Sequence, residues 1–312
     1  MYDHLFGPIA SRRLGTSLGV DLVRHKVCSL DCIYCESGRT TVLTGERKEY
    51  VSHEKVKEEL LDYFANNPDP DYITFSGSGE PTLSSRIGDT IEFIKAQKPN
   101  VKVAVLTNGT LFSNPAVRRE LMGADLVIPS LDAATWDSFR RINRPLATLD
   151  LDTHIEGIRL FKEEFSGKMD LEILILPGVN DDEESLAALK ASCILIGPDT
   201  VQLNTLDRPG VVKNIRAATA EELEAIAAYF GFTNITIPSS AKRSKQRAKV
   251  SGDLADAVLE MIVRRPCTEK DILQTIECTD EELLLALDRL QQEDKVYTLT
   301  KERGEFYLVK HH

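Results

Sequence analysis

Six short apolar runs recur along the first two thirds of the chain, at 19–23, 72–75, 103–106, 126–129, 171–176 and 200–203. They are rich in Val, Ile and Leu and end in polar or glycine-bearing turns, which predicts buried strands. Helical spacing fills the gaps. Val56, Leu60 and Phe64 repeat every four residues behind Ser52, a cap residue, and predict a helix over 52–66. Ile155, Ile158 and Phe165 mark a later helix, and Leu186, Leu189 and Ile196 another. Thr219 and Glu222 form a capping box ahead of Leu223, Ile226 and Phe230, predicting a helix over 219–230. Strand–helix alternation six times over predicts an α/β fold, a parallel sheet with crossover helices. Six units are too few to close an eight-stranded barrel.

The pattern breaks near residue 238. Lys242-Arg-Ser-Lys-Gln-Arg-Ala-Lys249 is polar and basic, and 239–250 reads as a linker. Beyond it, Leu254, Val258 and Ile262 mark one helix. Thr268 with Asp271 opens a second, and a Thr279–Glu282 box opens a third carrying Leu283, Leu287 and Leu290. Runs at 296–300 and 306–309 flank Gly304 as a hairpin. Three helices and a hairpin predict a C-terminal winged-helix domain. The expected division is therefore 1–238, a linker at 239–250, and 251–312.

Composition adds exclusions. With 312 residues, 42% apolar and 28% charged, the chain reads as globular. No apolar run approaches the roughly 18 residues that span a membrane. No charged-then-apolar leader opens the chain, so the expected location is cytoplasmic, without a membrane partner. A net charge of −11 argues against general nucleic-acid affinity. Residues 251–312 hold 8 Lys and Arg against 14 Asp and Glu, a balance of −6, so duplex DNA is not an expected partner of the winged helix.

The sharpest chemistry is Cys28-Ser-Leu-Asp-Cys32-Ile-Tyr-Cys35. Thiolates are the usual ligands of iron–sulfur clusters. Three cysteines in one tight loop leave the fourth iron of a cubane open. Zinc is the alternative, because His25 with the three cysteines makes four ligands of suitable type. A disulfide framework does not suit a chain with intracellular character. Cys193 continues the Leu186–Leu189 stripe and reads as core, while Cys267 and Cys278 flank one helix, roughly 15 Å apart and too far to share a metal.

The C-x3-C-x2-C spacing, with Tyr34 before the last cysteine, resembles the radical S-adenosylmethionine (SAM) superfamily. Within it the chain is similar to the wybutosine-type Fe–S oxidoreductases, a group founded on a tRNA-modifying 4-demethylwyosine synthase. That likeness runs from about Phe6 to Arg208. It rests on Gly7-Pro8, Ser11-Arg12-Arg13-Leu14-Gly15 and Leu18-Gly19-Val20-Asp21, on the cysteine loop, on Phe75-Ser-Gly-Ser-Gly-Glu-Pro-Thr-Leu83, on Ile142-Asn-Arg-Pro145, and on Leu203-Asn204-Thr205 with Arg208-Pro209. No cysteine precedes Cys28, so the extra cluster of the tRNA enzyme is not expected, and that enzyme lacks a winged helix.

The resemblance implies an open, partial (β/α)6 barrel and a single [4Fe–4S] cluster on Cys28, Cys32 and Cys35. It implies S-adenosyl-L-methionine as a second cofactor, either consumed or regenerated, cleaved to a 5′-deoxyadenosyl radical that abstracts hydrogen. It implies an electron donor of the flavodoxin or ferredoxin type. Tyr34 would pack on the SAM adenine. Ser78-Gly79-Glu80 would hold the methionyl amine, since a carboxylate and close backbone suit an ammonium. Asn108 and Ser130, ending two strands, would meet the SAM carboxylate or ribose. Arg144, Asn204 and Arg208 would touch the substrate, forked guanidiniums being suited to carboxylates and phosphates. The substrate stays open between RNA, protein and metabolite. A glycyl-radical-enzyme activase and an iron–sulfur transcription sensor are the rival readings.

Overall fold

Strand and helix alternate as the apolar pattern predicts. The computed structural model describes residues 2–11, 14–237, 252–301 and 303–310. The expected linker 239–250 with its basic stretch, and Arg12 and Arg13, lie outside the described residues.

The first strand, β1 (Leu5–Ser11), pairs antiparallel with β2 (Gly15–Val20). Two short strands, β3 (Val27–Cys28) and β4 (Val42–Leu43), pair with each other on either side of the cysteine loop. Then come α1 (His53–Asn66), β5 (Tyr72–Phe75), α2 (Ile87–Gln97), β6 (Lys102–Thr107), α3 (Pro115–Glu120) and β7 (Leu126–Pro129). They are followed by α4 (Trp136–Ile142), α5 (Leu151–Glu164), β8 (Lys168–Ile175), α6 (Glu183–Ile196), β9 (Thr200–Thr205), α7 (Ala220–Phe230) and β10 (Ile235–Thr236). One eight-stranded sheet runs β1-β2-β5-β6-β7-β8-β9-β10. From β2 to β10 every neighbour is parallel. Parallel strands place all their carboxyl ends on one edge, and that edge carries the polar motifs.

The helices start where the caps said. Ser52 accepts from the Lys55 N–H at the head of α1, and Thr219 and Glu222 cap α7 reciprocally. Each reciprocal cap satisfies two otherwise orphaned groups. Phe112, Phe161 and Phe165 stack with centroids 4.4 and 4.8 Å apart, fixing α5 against the barrel. Burying each such ring contributes about 1.5–3 kcal/mol. Cys193 is buried on α6 among these apolar residues, as its place in the stripe predicts.

The first strand departs from expectation. Residues 19–23 were expected to form it, but β2 ends at Val20 and the antiparallel β1 precedes it. Gly7-Pro8 disguises β1 in the sequence. A proline donates no ladder hydrogen bond and is tolerated only on an edge strand, and β1 is an edge.

Residues beyond 251 form α8 (Leu254–Arg264), α9 (Glu269–Thr275), α10 (Asp280–Gln292) and a hairpin of β11 (Val296–Lys301) with β12 (Gly304–Val309). Thr268 with Asp271, and Thr279 with Glu282, form the expected capping boxes. This unit has its own core around Val258, Ile262, Leu287 and Leu290. It docks on the sheet edge, where α9 packs beside β1 and the Arg264 guanidinium lies 4.8 Å from the Phe6 ring centroid.

Candidate active site

One cleft opens at the carboxyl edge of the sheet. Cys28, Cys32 and Cys35 line it, together with Tyr34, Ser78, Gly79, Glu80, Asn108 and Ser130. Every residue expected to bind cluster or SAM therefore faces one space. The loops that carry them are held by backbone bonds. Ile33 N–H donates to the Ile142 carbonyl at 2.9 Å, Thr44 N–H to the Cys28 carbonyl at 2.9 Å, and Leu30 bridges Pro145.

The glycine-rich loop after β5 is pressed against the cysteine loop. Glu80 N–H donates to the Val27 carbonyl at 3.1 Å. A Cβ on Gly79 would stand 2.1 Å from that same carbonyl oxygen, so only glycine permits the approach. We expect Gly79→Ala to cost about 1–3 kcal/mol, as overpacking does, and to lower iron per chain after reconstitution. A variant with unchanged Tm and full iron content would show that the contact is not required. Gly77, at φ 144°, abuts the Asp21 carboxylate, which accepts from the Ser78 N–H at 3.0 Å and the Ser78 hydroxyl at 2.8 Å.

Glu80 is 3% exposed. One carboxylate oxygen accepts from the Thr82 N–H and the hydroxyls of Thr82 and Thr107, and the other from the Asn108 N–H at 2.7 Å. Burial pushes its pKa up, and those donors pull it back only in part. Asn108 turns its Nδ2 to the Ser29 hydroxyl at 2.8 Å and towards Cys28 Sγ at 3.5 Å. Burial pushes the Cys28 thiol up to about 12, with Glu80 adding to it, and raises the Cys32 thiol with Asp132 adding to it.

Four cleft residues went unnoticed in the sequence: Lys26, Asp132, Asn143 and His154. Asp132 accepts from the Tyr34 hydroxyl at 2.5 Å, Asn143 Nδ2 at 2.8 Å and the Leu174 N–H at 3.0 Å. Burial raises its pKa to about 6. His154 sets one ring nitrogen 2.9 Å from the Asn108 carbonyl, and burial lowers its pKa to about 4, so it is neutral. Asn143 sat in a motif already quoted, Ile142-Asn143-Arg144-Pro145, and Asp132 stands two residues after Ser130. For His154, on a helix, sequence offers no signal.

The three expected substrate residues do not line the cleft. Arg144 is 38% exposed and lies 3.9 Å from Asp31, and Asn204 bonds to the next backbone N–H. Arg208 lies elsewhere: its guanidinium is buried, 2.5 Å from Asp271 and 2.9 Å from the Pro266 carbonyl, so it clamps the C-terminal unit. A sequence cannot distinguish an arginine meant for a ligand from one meant for a distant carboxylate.

The donor set fits a cubane better than zinc. His25, the fourth zinc ligand, is exposed and does not line the cleft. Among the described residues no three His, Cys, Asp or Glu side chains converge on one metal ion. A cubane asks less of convergence, because each cysteine binds a different iron. Cys267 is buried and Cys193 sits in the core, and neither lines the cleft. Changing Cys193, Cys267 and Cys278 together to Ser should lower Tm by burying hydroxyls at 193 and 267, each costing about 1–3 kcal/mol, yet leave iron per chain unchanged. Loss of half the iron would reveal a second cluster.

Residues 22–189 match the family model of the radical SAM superfamily. The chain belongs to the radical SAM superfamily. Radical SAM proteins are iron–sulfur enzymes that use a [4Fe–4S] cluster and SAM. The chain is 35% identical over 227 residues to UPF0026 protein MJ1312 of Methanocaldococcus jannaschii, covering 72% of this chain and 70% of that one, and so also belongs with the UPF0026 proteins. It is 35% identical over 295 residues to a protein called GTPase Obg of Brachyspira hyodysenteriae, covering 94% of this chain but only 43% of that longer one. The fold is similar to that of TYW1, solved with a lysine–pyruvate adduct bound, with a TM-score of 0.53 at 18% identity over 72% of this chain and 75% of the other. No helix among the described residues is long and apolar enough to cross a membrane.

Proposed function

We propose that this chain is a radical SAM enzyme of the wybutosine-type group, holding one [4Fe–4S] cluster on Cys28, Cys32 and Cys35. The observation that carries the reading is the meeting of those thiols with Ser78-Gly79-Glu80 in one cleft. Held by Cys28, Cys32 and Cys35, a bound cluster would supply the electron for reductive cleavage of SAM and so the radical chemistry at the substrate. The chain's own part is binding and orientation. Glu80 offers a carboxylate, already fixed by four donors, to the SAM ammonium. Asn108, Ser130 and the Tyr34 ring complete the SAM pocket. The glycine approach at Gly79 keeps that pocket against the cysteine loop.

The proposed domain division is a partial barrel over 1–238, a linker at 239–250 and a winged helix over 251–312. The acidic balance of the winged helix supports a role other than reading duplex DNA. Its docking beside the cluster loop, where the Ser37 hydroxyl donates to the Arg264 carbonyl at 3.2 Å, favours an enzyme over a transcription sensor with a free reading head. The electron donor is a flavodoxin or ferredoxin. The substrate is an RNA, protein or metabolite that reaches the mouth of the barrel.

The test is anaerobic reconstitution followed by SAM and dithionite. We expect 5′-deoxyadenosine and methionine, and Glu80→Ala should weaken SAM binding while keeping its iron. A cluster-loaded protein that forms no 5′-deoxyadenosine would sink the proposal.

A further inference from the structure

Each of the three cysteines in the cleft has a side-chain N–H donor, and these donors come from three separate places in the barrel. Asn108 Nδ2 lies 3.5 Å from Cys28 Sγ, and Asn143 Nδ2 lies 3.4 Å from Cys32 Sγ. Lys26 Nζ lies 2.9 Å from Cys35 Sγ. Of the three, Lys26 alone brings a charge.

Lys26 is 3% exposed, and among the described residues no carboxylate lies within ion-pair distance of it. Its backbone is held in the left-handed region at φ 57°. A non-glycine residue stays there only where its surroundings over-determine it. Here the Lys26 N–H donates to the Ser78 carbonyl at 3.1 Å, and its carbonyl accepts from the N–H groups of Thr41 and Val42 at 3.0 and 3.1 Å. The glycine-rich loop and β4 together therefore aim this ammonium at Cys35.

A buried ammonium with no counter-ion is costly. What offsets it here is negative charge at the cysteines. A cubane held by three thiolates is a net anion, and one-electron reduction makes it more negative. Net charge and hydrogen bonds to the sulfurs are what set such a cluster's potential. Second-shell donors of this kind orient ligands and tune the metal.

We propose that Lys26 is a positioning residue that donates to the Cys35 sulfur and stabilises the one-electron-reduced cluster. This role rests on the cluster being held by Cys28, Cys32 and Cys35. It lets a flavodoxin- or ferredoxin-type donor deliver the electron at a less negative potential. The loss in Lys26→Met is then in reduction, with SAM and substrate contacts intact.

The experiment uses the full chain, reconstituted anaerobically with iron and sulfide, and titrated with dithionite under electron paramagnetic resonance without SAM. In Lys26→Met the reduction equilibrium should be at least tenfold less favourable, a shift of about 59 mV for one electron. Lys26→Arg, which keeps charge and donor, should recover most of it. A fully loaded Met variant with an unchanged potential overturns the proposal. A second measurement needs no variant. Unaltered protein labelled with 15N-lysine and reduced should show a 15N coupling to the cluster by pulsed resonance, and its absence overturns the proposal whether or not the variants assemble. Failure of the unaltered protein to bind any iron would be a different result, against the cluster itself.

Discussion

Replacing Cys28, Cys32 or Cys35 with Ala should abolish iron binding and leave the barrel folded. Each cysteine serves a separate iron, so no neighbouring ligand can substitute for a missing one. The loop does not depend on the cluster for its path. It is already tied by the Leu30–Pro145 bridge and by backbone bonds from Ile33 and Thr44. The expected result after anaerobic reconstitution is about four irons and four sulfides per chain in the unaltered protein and essentially none in each variant, with closely similar far-ultraviolet circular dichroism. Stoichiometric zinc without iron in the unaltered protein would reinstate the zinc alternative.

Arg208→Ala should be the most destabilising single change at the joint between barrel and C-terminal unit. It strips the main partner from Asp271, which keeps Arg303 at 2.8 Å, and it leaves the Pro266 carbonyl without its donor. Breaking a buried pair from one side costs about 3–5 kcal/mol. Acid should expose the same interaction. Burial alone would raise the Asp271 pKa, but the Arg208 guanidinium holds it well below the ordinary carboxylate range. A carboxyl whose folded pKa is depressed contributes stability above its unfolded pKa of about 3.9, and that contribution drains away as pH falls towards the folded value. Unfolding free energies measured from neutral pH down through the acid limb should therefore converge for the two proteins. Curves that stay parallel to the lowest pH would assign the stability to something other than this pair.

The strand ends were readable in the sequence because their chemistry is local. Cys28, Cys32 and Cys35 share one loop, and Ser78-Gly79-Glu80 follows a strand whose apolar run is unambiguous. The helix caps at Ser52, Thr219, Thr268 and Thr279 were readable for the same reason, since a cap is decided within four residues. What escaped was set by contacts between distant segments. Arg208 meets Asp271 across 63 positions, and Asp132 meets Tyr34 across 98. Neither side chain announces such a partner. Lys26 escaped for another reason. A single lysine before a cysteine reads as surface, and only its left-handed backbone turns it inward.

The docking of α9 and Arg264 on β1 also bears on solubility. An open sheet leaves an edge whose unpaired N–H and C=O groups invite another chain. Here that edge is shielded by the C-terminal unit. A chain cut short after β10 would keep the cysteine loop and the glycine-rich loop intact but bare the strand beside them. Its failure in the laboratory would then be precipitation through edge pairing, which mild denaturant and low protein concentration relieve. Any shortened form made for crystallisation needs charge added to β1, which already carries Pro8, to take over the protection that the native chain draws from its own tail.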